Sequence, residues 1–210
     1  MTDTNMKSSS FNANPDSKFG FDTESDICER MYERLKSDYP NLYLVHSLCS
    51  NRDVHSNGVD CCVVETPTEN AKHGDIRIYK TDEKCRPLFS DFICIDVKSS
   101  RKWFSGSITF KKISSDPKHD AIKHICDFIG TDVEDTFWYM SIGRNYIPYM
   151  IPLKTVKSFF RSRTTEELLK ICKVGKYDNG ESWYMSLGYI PGEHKRYEEW
   201  YNSSLKNWVS

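Results

Sequence analysis

The chain has 210 residues with a formal net charge of −1, and 38% of its residues are hydrophobic, including 13% that are aromatic. This length suits one domain with its own core, and the near-zero charge excludes a uniformly basic nucleic-acid-binding protein. The eight cysteines form no C-x-x-C pair, and no apolar run approaches the ~18 residues of a membrane-spanning helix. We therefore expect reduced thiols, no membrane partner and a cytoplasmic location.

The first part of the chain differs in composition from the rest. Residues 1–18 are rich in Ser, Asn, Asp and Thr with few apolar side chains, which predicts a disordered tail. Residues 19–210 are predicted to form a single domain, with a core at about 20–153 and a helical, aromatic-rich extension at 154–210.

Residues 24–37 are predicted to form the first helix, which Pro40 prevents from continuing. Glu24 lies near the middle of the arc that the apolar stripe of this helix covers, where an acid is unexpected. Either Glu24 has a functional role, or it is a first-turn acid that favours the helix dipole. The stripe consists of Ile27, Cys28, Met31 and Leu35.

Two short apolar runs, residues 75–79 and 92–98, have the two-residue period of strands, and the polar segment 80–90 between them predicts a hairpin connection. Because residues i and i+2 of a strand point to the same face, Asp96 and Lys98 should project side by side. Pairing of the two strands would bring Asp75 beside them.

Two carboxylates and an ammonium on one sheet face would be unfavourable in a hydrophobic core. They form a suitable binding site for a divalent metal and for the phosphate that the metal activates. The alternative is an ion cluster on an exposed sheet face with no role in catalysis.

Gly74 and Asp75, together with Asp96, Val97 and Lys98, resemble the PD-(D/E)XK nuclease superfamily, whose pattern is an acid opening one strand and an acid-x-Lys closing the next. Gly74 stands where the pattern has Pro. The resemblance implies a restriction-endonuclease-like core and metal-dependent hydrolysis of phosphodiesters with Mg²⁺ or Mn²⁺. It implies Asp75 and Asp96 as catalytic metal ligands, the Val97 carbonyl as a further ligand, and Lys98 as the catalytic lysine.

The superfamily also carries a metal-proximal Glu on its first helix. Gly20, Glu24 and Ile27 have the spacing G-x-x-x-E-x-x-I, which is similar to the version found in archaeal Holliday-junction resolvases. The resemblance therefore implies Glu24 as a fourth catalytic residue.

A local excess of positive charge follows the acid-x-Lys triplet. Residues 98–123 contain seven Lys or Arg against two Asp, in a chain that is otherwise nearly neutral. This predicts a track for the phosphate backbone of nucleic acid, and the alternative is a solvated basic loop. The predicted contacts are Ser99, Ser100, Arg101, Lys102, Lys111 and Lys112.

The predicted order of helix, strands, helix and strands indicates an α/β or α+β domain with a central mixed β-sheet flanked by helices. The aromatic terminal helix is predicted to pack onto the core or onto a second subunit, with stacking on unpaired bases as the alternative. The further predicted elements are a strand or loop at 58–65, a turn at 66–71, strands at Leu42–Leu48, 107–110 (continuing the sheet), 137–142 and 146–151, and helices at 115–129, 154–160, 164–172 and 193–208.

The sequence thus predicts a Mg²⁺- or Mn²⁺-dependent endonuclease that acts on DNA, including branched or single-stranded DNA, in a phage, mobile-element, restriction or junction-resolving setting. A homodimer is expected if both strands of a duplex are cut. Two alternatives remain open: a non-catalytic module on the same fold that binds nucleic acid or protein, and an RNase.

Overall fold

The computed structural model describes residues 15–48, 52–54, 74–113, 116, 118, 136–176 and 183–210. Helical elements open this part of the chain, follow the large sheet and close the C-terminus. They are α1 (Pro15–Asp38), α2 (Leu153–Arg161), α3 (Thr165–Ile171), α4 (Tyr197–Trp200), a π-helical turn (Tyr201–Leu205) and α5 (Lys206–Val209).

The strands of the described residues form two sheets. The large sheet has seven strands in the order β10-β7-β6-β4-β3-β1-β2, and the small sheet has three in the order β5-β9-β8. The strands are β1 (Leu42–Leu48), β2 (Arg52–Val54), β3 (Ile76–Thr81), β4 (Pro87–Ser100), β5 (Ser107–Ile113), β6 (Phe137–Gly143), β7 (Pro148–Pro152), β8 (Cys172–Lys176), β9 (Trp183–Gly188) and β10 (Lys195–Arg196).

The large sheet is mixed, because β4 and β6 run parallel while its other strand pairs are antiparallel. The predicted fold class, a central mixed sheet with flanking helices, is confirmed at this level. The hairpin between β3 and β4 is also confirmed. Its loop is shorter than predicted, since β3 extends to Thr81 and β4 begins at Pro87.

One face of the large sheet, here called the α1 face, packs against α1 and the C-terminal helices. The strand residues that alternate onto it are buried and apolar, as a half-covered sheet requires. Those on the two central strands β3 and β4 are Ile76, Ile78, Ile93, Ile95 and Val97.

The opposite face, here called the site face, is covered by the small sheet together with α2 and α3. Cys94, Phe137 and Tyr139 lie on it and pack in one cluster with residues of those elements, including Phe110 and Phe160. The large sheet is therefore the middle of three layers, which buries both faces of its central strands.

Helix α1 begins at Pro15, nine positions before the predicted start at Glu24. Proline suits the first helical turn because its missing N–H would have no partner there. Residues 15–18 are therefore helical, whereas the sequence predicted a disordered tail that extends to residue 18. The aromatic ring of Phe19 contacts that of Tyr146, with centroids 5.5 Å apart, which ties the start of the helix to the β6–β7 turn.

Strand β5 does not continue the large sheet as predicted. It pairs with β9 in the small sheet, because the chain turns at Gly106, whose φ is +84°, and crosses onto the site face. There Ile108 and Phe110 become buried.

Trp200 and Tyr201 of the C-terminal helices are buried, and Tyr197 and Trp208 are half-buried against the same core, which confirms the prediction of packing onto the core. Trp200 contacts Trp138 with ring centroids 5.9 Å apart, and the hydroxyl of Tyr201 donates a hydrogen bond of 3.0 Å to Asp38. The guanidinium of Arg34 stacks 3.7 Å from the Tyr201 ring centroid. The rings of Trp200 and Tyr201 are therefore not available to stack on bases, and a homodimer stays a prediction.

Several predicted elements, at 58–65, 66–71 and almost all of 115–129, lie outside the described residues. No helix in the described part of the chain has the length and apolarity that crossing a membrane requires. Four cysteines fall within the described ranges, and all four are free thiols: Cys28, Cys85, Cys94 and Cys172.

Candidate metal and phosphate site

Gly74 sets the position of the first candidate acid. Its φ is +76°, and a Cβ at this position would lie 2.8 Å from the Ile95 carbonyl oxygen. Only glycine adopts this conformation without strain, and proline cannot, because its ring fixes φ near about −65°. Glycine therefore precedes Asp75 for a physical reason, and its conformation lets the Asp75 N–H donate to the Ile95 carbonyl at 2.9 Å.

Asp75 is also held through its side chain. Its Oδ2 accepts a hydrogen bond of 2.6 Å from the backbone N–H of Val97. Because Ile76 pairs with Ile95 across the antiparallel strands, this bond fixes Asp75 against the acid-x-Lys segment of β4. The Val97 side chain itself is buried in the core of the α1 face, so its main chain alone takes part in the site.

Asp96 and Lys98 follow Cys94 at two-residue intervals and so lie on the site face with it. Lys98 Nζ lies 2.6 Å from Asp96 Oδ2 and 3.9 Å from Asp75 Oδ2. The side chains of Asp75, Asp96 and Lys98 are 27%, 17% and 24% exposed, so solvent and small ligands can reach all three. The structure therefore brings the three predicted residues into one recess.

Burial and neighbouring charges shift the pKa values of Asp75 and Lys98. Burial raises the pKa of Asp75 well above its ordinary value, and the negative charges of Asp96 and Glu24 raise it further, while Lys98 works in the opposite direction. Burial by itself would lower the pKa of Lys98, but the carboxylates of Asp96 and Asp75 outweigh burial and raise it. Lys98 is thus held in its charged form between the carboxyl groups of Asp75 and Asp96.

Glu24 belongs to this charge cluster although it comes from another layer. It is 8% exposed on α1, and its charge contributes to the raised pKa of both Asp75 and Lys98. One turn earlier, a Cβ on Gly20 would lie 3.4 Å from the Ser99 hydroxyl oxygen. Helix α1 therefore passes close to the end of β4, near enough for the charge of Glu24 to act on the site.

The predicted nucleic-acid contacts continue directly from Lys98. Ser99 and Ser100 close β4, and Arg101 and Lys102 form the exposed turn that follows. The backbone N–H of Lys102 donates to the Ser100 hydroxyl at 3.3 Å, so this turn has a defined shape. Lys111 and Lys112 lie in β5 of the small sheet, and their side chains are outside the described part of the structure.

Two residues of β6 line the site and were not predicted from the sequence. Tyr139 pairs with Asp96 and Ser141 pairs with Lys98 across the parallel strands. Burial, and then the charge of Asp96, raises the pKa of the Tyr139 phenol well above its usual value. Polar side chains at alternate positions of the predicted strand 137–142 were a signal, but nothing in the sequence gave the pairing partner of this strand.

The donor set fits a hard divalent cation. Among the described residues no group of three or more His, Cys, Asp or Glu is already arranged around a metal position. Lys98 instead places its ammonium between Asp75 and Asp96, where it stands in for part of the positive charge that a cation would supply. The carboxylate oxygens of Asp75 and Asp96, with the Val97 carbonyl as the predicted further ligand, are the oxygen donors that Mg²⁺ and Mn²⁺ prefer.

Comparisons with known proteins give no independent assignment. No protein-family model, no curated protein and no solved structure matches this chain.

Proposed function

We propose that this protein is a metal-dependent endonuclease of the PD-(D/E)XK type, with DNA as its substrate. The observation that carries the proposal is the convergence of Asp75, Asp96 and Lys98 in one recess, with Lys98 Nζ 2.6 Å from Asp96 and 3.9 Å from Asp75. The local order of helix α1, hairpin β3–β4 and parallel strand β6 supports a restriction-endonuclease-like core.

The acids would hold Mg²⁺ or Mn²⁺ in this recess. When bound, the cation supplies charge at the scissile phosphate and lowers the pKa of a water molecule. Asp75 and Asp96 would hold it through their side chains, with the Val97 carbonyl as the further ligand. Glu24 adds negative charge from α1, which favours a cation over a neutral water in the recess.

Lys98 acts on the phosphate and on the attacking water. Because the surrounding carboxylates raise its pKa, the ammonium stays protonated before substrate arrives, so its first role is to offset the charge of the phosphate. Its three N–H donors also orient the water towards the phosphorus. It would act as a base only if the negative charge of Asp75 and Asp96, which raises its pKa, were neutralised.

DNA is the proposed substrate because positive charge is concentrated beside the recess rather than spread over the protein. Arg101 and Lys102 are exposed in the turn that follows β4, and Ser99 and Ser100 lead to them from Lys98. Contacts of these types bind the phosphate backbone without reading sequence.

The direct test compares cleavage by the wild type, Lys98→Ala and Asp96→Asn. The substrates are supercoiled plasmid, single-stranded DNA, a four-way junction and RNA, each with Mg²⁺, with Mn²⁺ and with chelator. Lys80→Ala is the matched control, because Lys80 forms an ion pair of 3.6 Å with Asp91 on the same hairpin, outside the recess. We expect cation-dependent cleavage that falls at least about 100-fold in the two site variants and is retained in the control.

The cleavage results test both the proposed active site and the proposed substrate. Equal cleavage by the wild type and Lys98→Ala would show that the recess is not the active site. Preferential cleavage of RNA would mean that the substrate is RNA rather than DNA, with phosphodiester hydrolysis at the same site.

A non-catalytic binding module is the second candidate. It is favoured by the absence of a ready-made metal cluster among the described residues and by the short Lys98–Asp96 ion pair, which is a satisfied contact as it stands. A thermal melt discriminates between the two, since a nuclease is stabilised by Mn²⁺ whereas a binding module is not.

A further inference from the structure

A cleft of about 420 Å³ opens on the site-face side of the molecule, next to the turn that follows Lys98. Its walls come from the β4–β5 loop, α2, the end of α3 and the segment after β9. The wall residues are uncharged and largely aromatic or aliphatic, and they include Trp103, Phe104, Phe159, Ile171, Tyr189 and Pro191.

The cleft is connected to the candidate active site through β6. Ser141 pairs with Lys98 on one side, and its hydroxyl donates to the carbonyl of Ser105, a cleft residue, at 3.5 Å on the other. Neighbouring strands are about 4.8 Å apart, so the cleft begins on the order of 10 Å from Lys98. A nucleic-acid strand bound at Lys98 would therefore reach the cleft with its neighbouring nucleotides.

Two aromatic rings follow the basic turn in the chain. Trp103 packs over the end of β9, since a Cβ on Gly188 would lie 2.7 Å from its ring. Phe104 is 63% exposed at the rim of the cleft. A fixed ring beside a freely exposed ring provides a surface on which a flat group can stack.

The rim of the cleft is basic. Arg101 and Lys102 precede the two rings, the Arg144 guanidinium lies 5.9 Å from the Phe104 ring centroid, and that of Arg163 lies 3.5 Å from the Phe159 ring centroid. An apolar, aromatic wall with a basic rim complements a group that is flat and apolar in the middle and anionic at its edge. A nucleotide has this chemistry.

We propose that the cleft receives an unpaired base of the DNA strand that lies in the candidate active site. This inference rests on the proposed function and names its substrate class: DNA with a single-stranded segment beside the phosphate that is cut. A volume of about 420 Å³ lies at the small end of the usual range for ligand sites, roughly 300–1,000 Å³, which suits one or two bases and excludes a paired duplex.

The test measures DNA binding by fluorescence anisotropy, with Ca²⁺ as the cation so that no cleavage occurs. The ligands are a labelled single-stranded oligonucleotide and the duplex of the same sequence. The proteins are the wild type, Phe104→Ala, Phe104→Tyr and Phe89→Ala. Phe89 is the matched control, because its ring is 54% exposed near the β3–β4 hairpin loop, at the opposite end of β4.

We expect Phe104→Ala to weaken single-strand binding by about 5- to 150-fold while duplex binding stays unchanged. Phe104→Tyr and Phe89→Ala should bind the single strand as the wild type does. An abasic position in the oligonucleotide should weaken wild-type binding and leave Phe104→Ala unaffected. Equal binding by wild type and Phe104→Ala, or an equal loss on single strand and duplex, would overturn the proposal.

The binding and cleavage results together distinguish failure of this inference from failure of the nuclease proposal. Phe104-dependent single-strand binding by a protein that cuts no substrate would support the base-binding cleft and overturn hydrolysis. Cation-dependent cleavage of duplex with no single-strand preference would support hydrolysis and overturn the cleft.

Discussion

The carboxylate of Asp75 accepts a 2.6 Å hydrogen bond from the backbone N–H of Val97, the residue between Asp96 and Lys98. This bond joins the acid that opens β3 to the acid-x-Lys segment that closes β4. It also depends on the strand register, since a slip of one residue would turn Asp96 and Lys98 to the α1 face. Three charged groups are therefore assembled by two strands that also form the centre of the core.

Replacing Asp75 with Asn is expected to stabilise the metal-free protein at neutral pH. Burial, then Asp96, raises the pKa of Asp75 above its unfolded value, so ionisation opposes folding and stability falls as pH rises through this window. Asn stays neutral and can still accept the Val97 N–H. Melting in chelator should show a Tm increase of about 2–4 °C for each kcal/mol gained, and the increase should grow as the pH rises.

The same variant should lose its response to cations. Saturating Mn²⁺ should stabilise the wild type by about 2.7 kcal/mol when its concentration is 100 times the Kd, and should leave Asp75→Asn unchanged. A lower Tm of the variant in chelator at pH 8, or an undiminished Mn²⁺ response, would show that Asp75 is a structural acid.

Cation binding should strengthen with rising pH. The cation requires the ionised form of Asp75, whose pKa is raised, so binding at a pH below that pKa must displace a proton. Isothermal titration with Mn²⁺ in two buffers of different ionisation enthalpy should detect a proton release that diminishes as the pH rises. An affinity that is constant from pH 6 to pH 8 would contradict a role for Asp75 as a ligand.

Lys98→Ala should bind Mn²⁺ at least as tightly as the wild type, although it should not cleave. Its ammonium is 2.6 Å from Asp96 and competes with the cation for that carboxylate, so its removal leaves more negative charge in the recess. Mn²⁺ titration followed by a thermal melt measures this directly. Weaker Mn²⁺ binding in this variant would mean that Lys98 organises the acids rather than the substrate.

The candidate site was predictable where the signal was local. The two-residue period of the runs at 75–79 and 92–98 gave both the strands and the shared face of Asp96 and Lys98. The helix predicted at 164–172 also has a local signal, a capping box. The Thr164 hydroxyl accepts from the Glu167 N–H at 3.3 Å, and the Glu167 carboxylate accepts from the Thr164 N–H at 2.8 Å.

Features that depend on non-local pairing were not predictable. The parallel pairing of β4 with β6 brings Tyr139 and Ser141 to the site, and it joins segments about 43 positions apart whose apolar patterns would suit several partners. The small sheet was missed for the same reason, because the strand at Ser107–Ile113 finds its partner at Trp183–Gly188.

The left-handed conformation of Gly74 was not predictable either, and it provides the last test. Gly74→Ala should lower the free energy of unfolding by at least about 2 kcal/mol, combining strain at φ +76° with a Cβ placed 2.8 Å from the Ile95 carbonyl oxygen. Gly192→Ala is the matched control, because its φ is +83° and its Cβ would meet nothing within 4 Å. The control should lower the free energy of unfolding by about 1 kcal/mol, from strain alone.

Because relief of the Ile95 contact must move Asp75, only Gly74→Ala should also lose the Mn²⁺-induced rise in Tm. Equal effects of the two substitutions in urea unfolding and Mn²⁺ titration would show that the close approach to Ile95 does not position the acid.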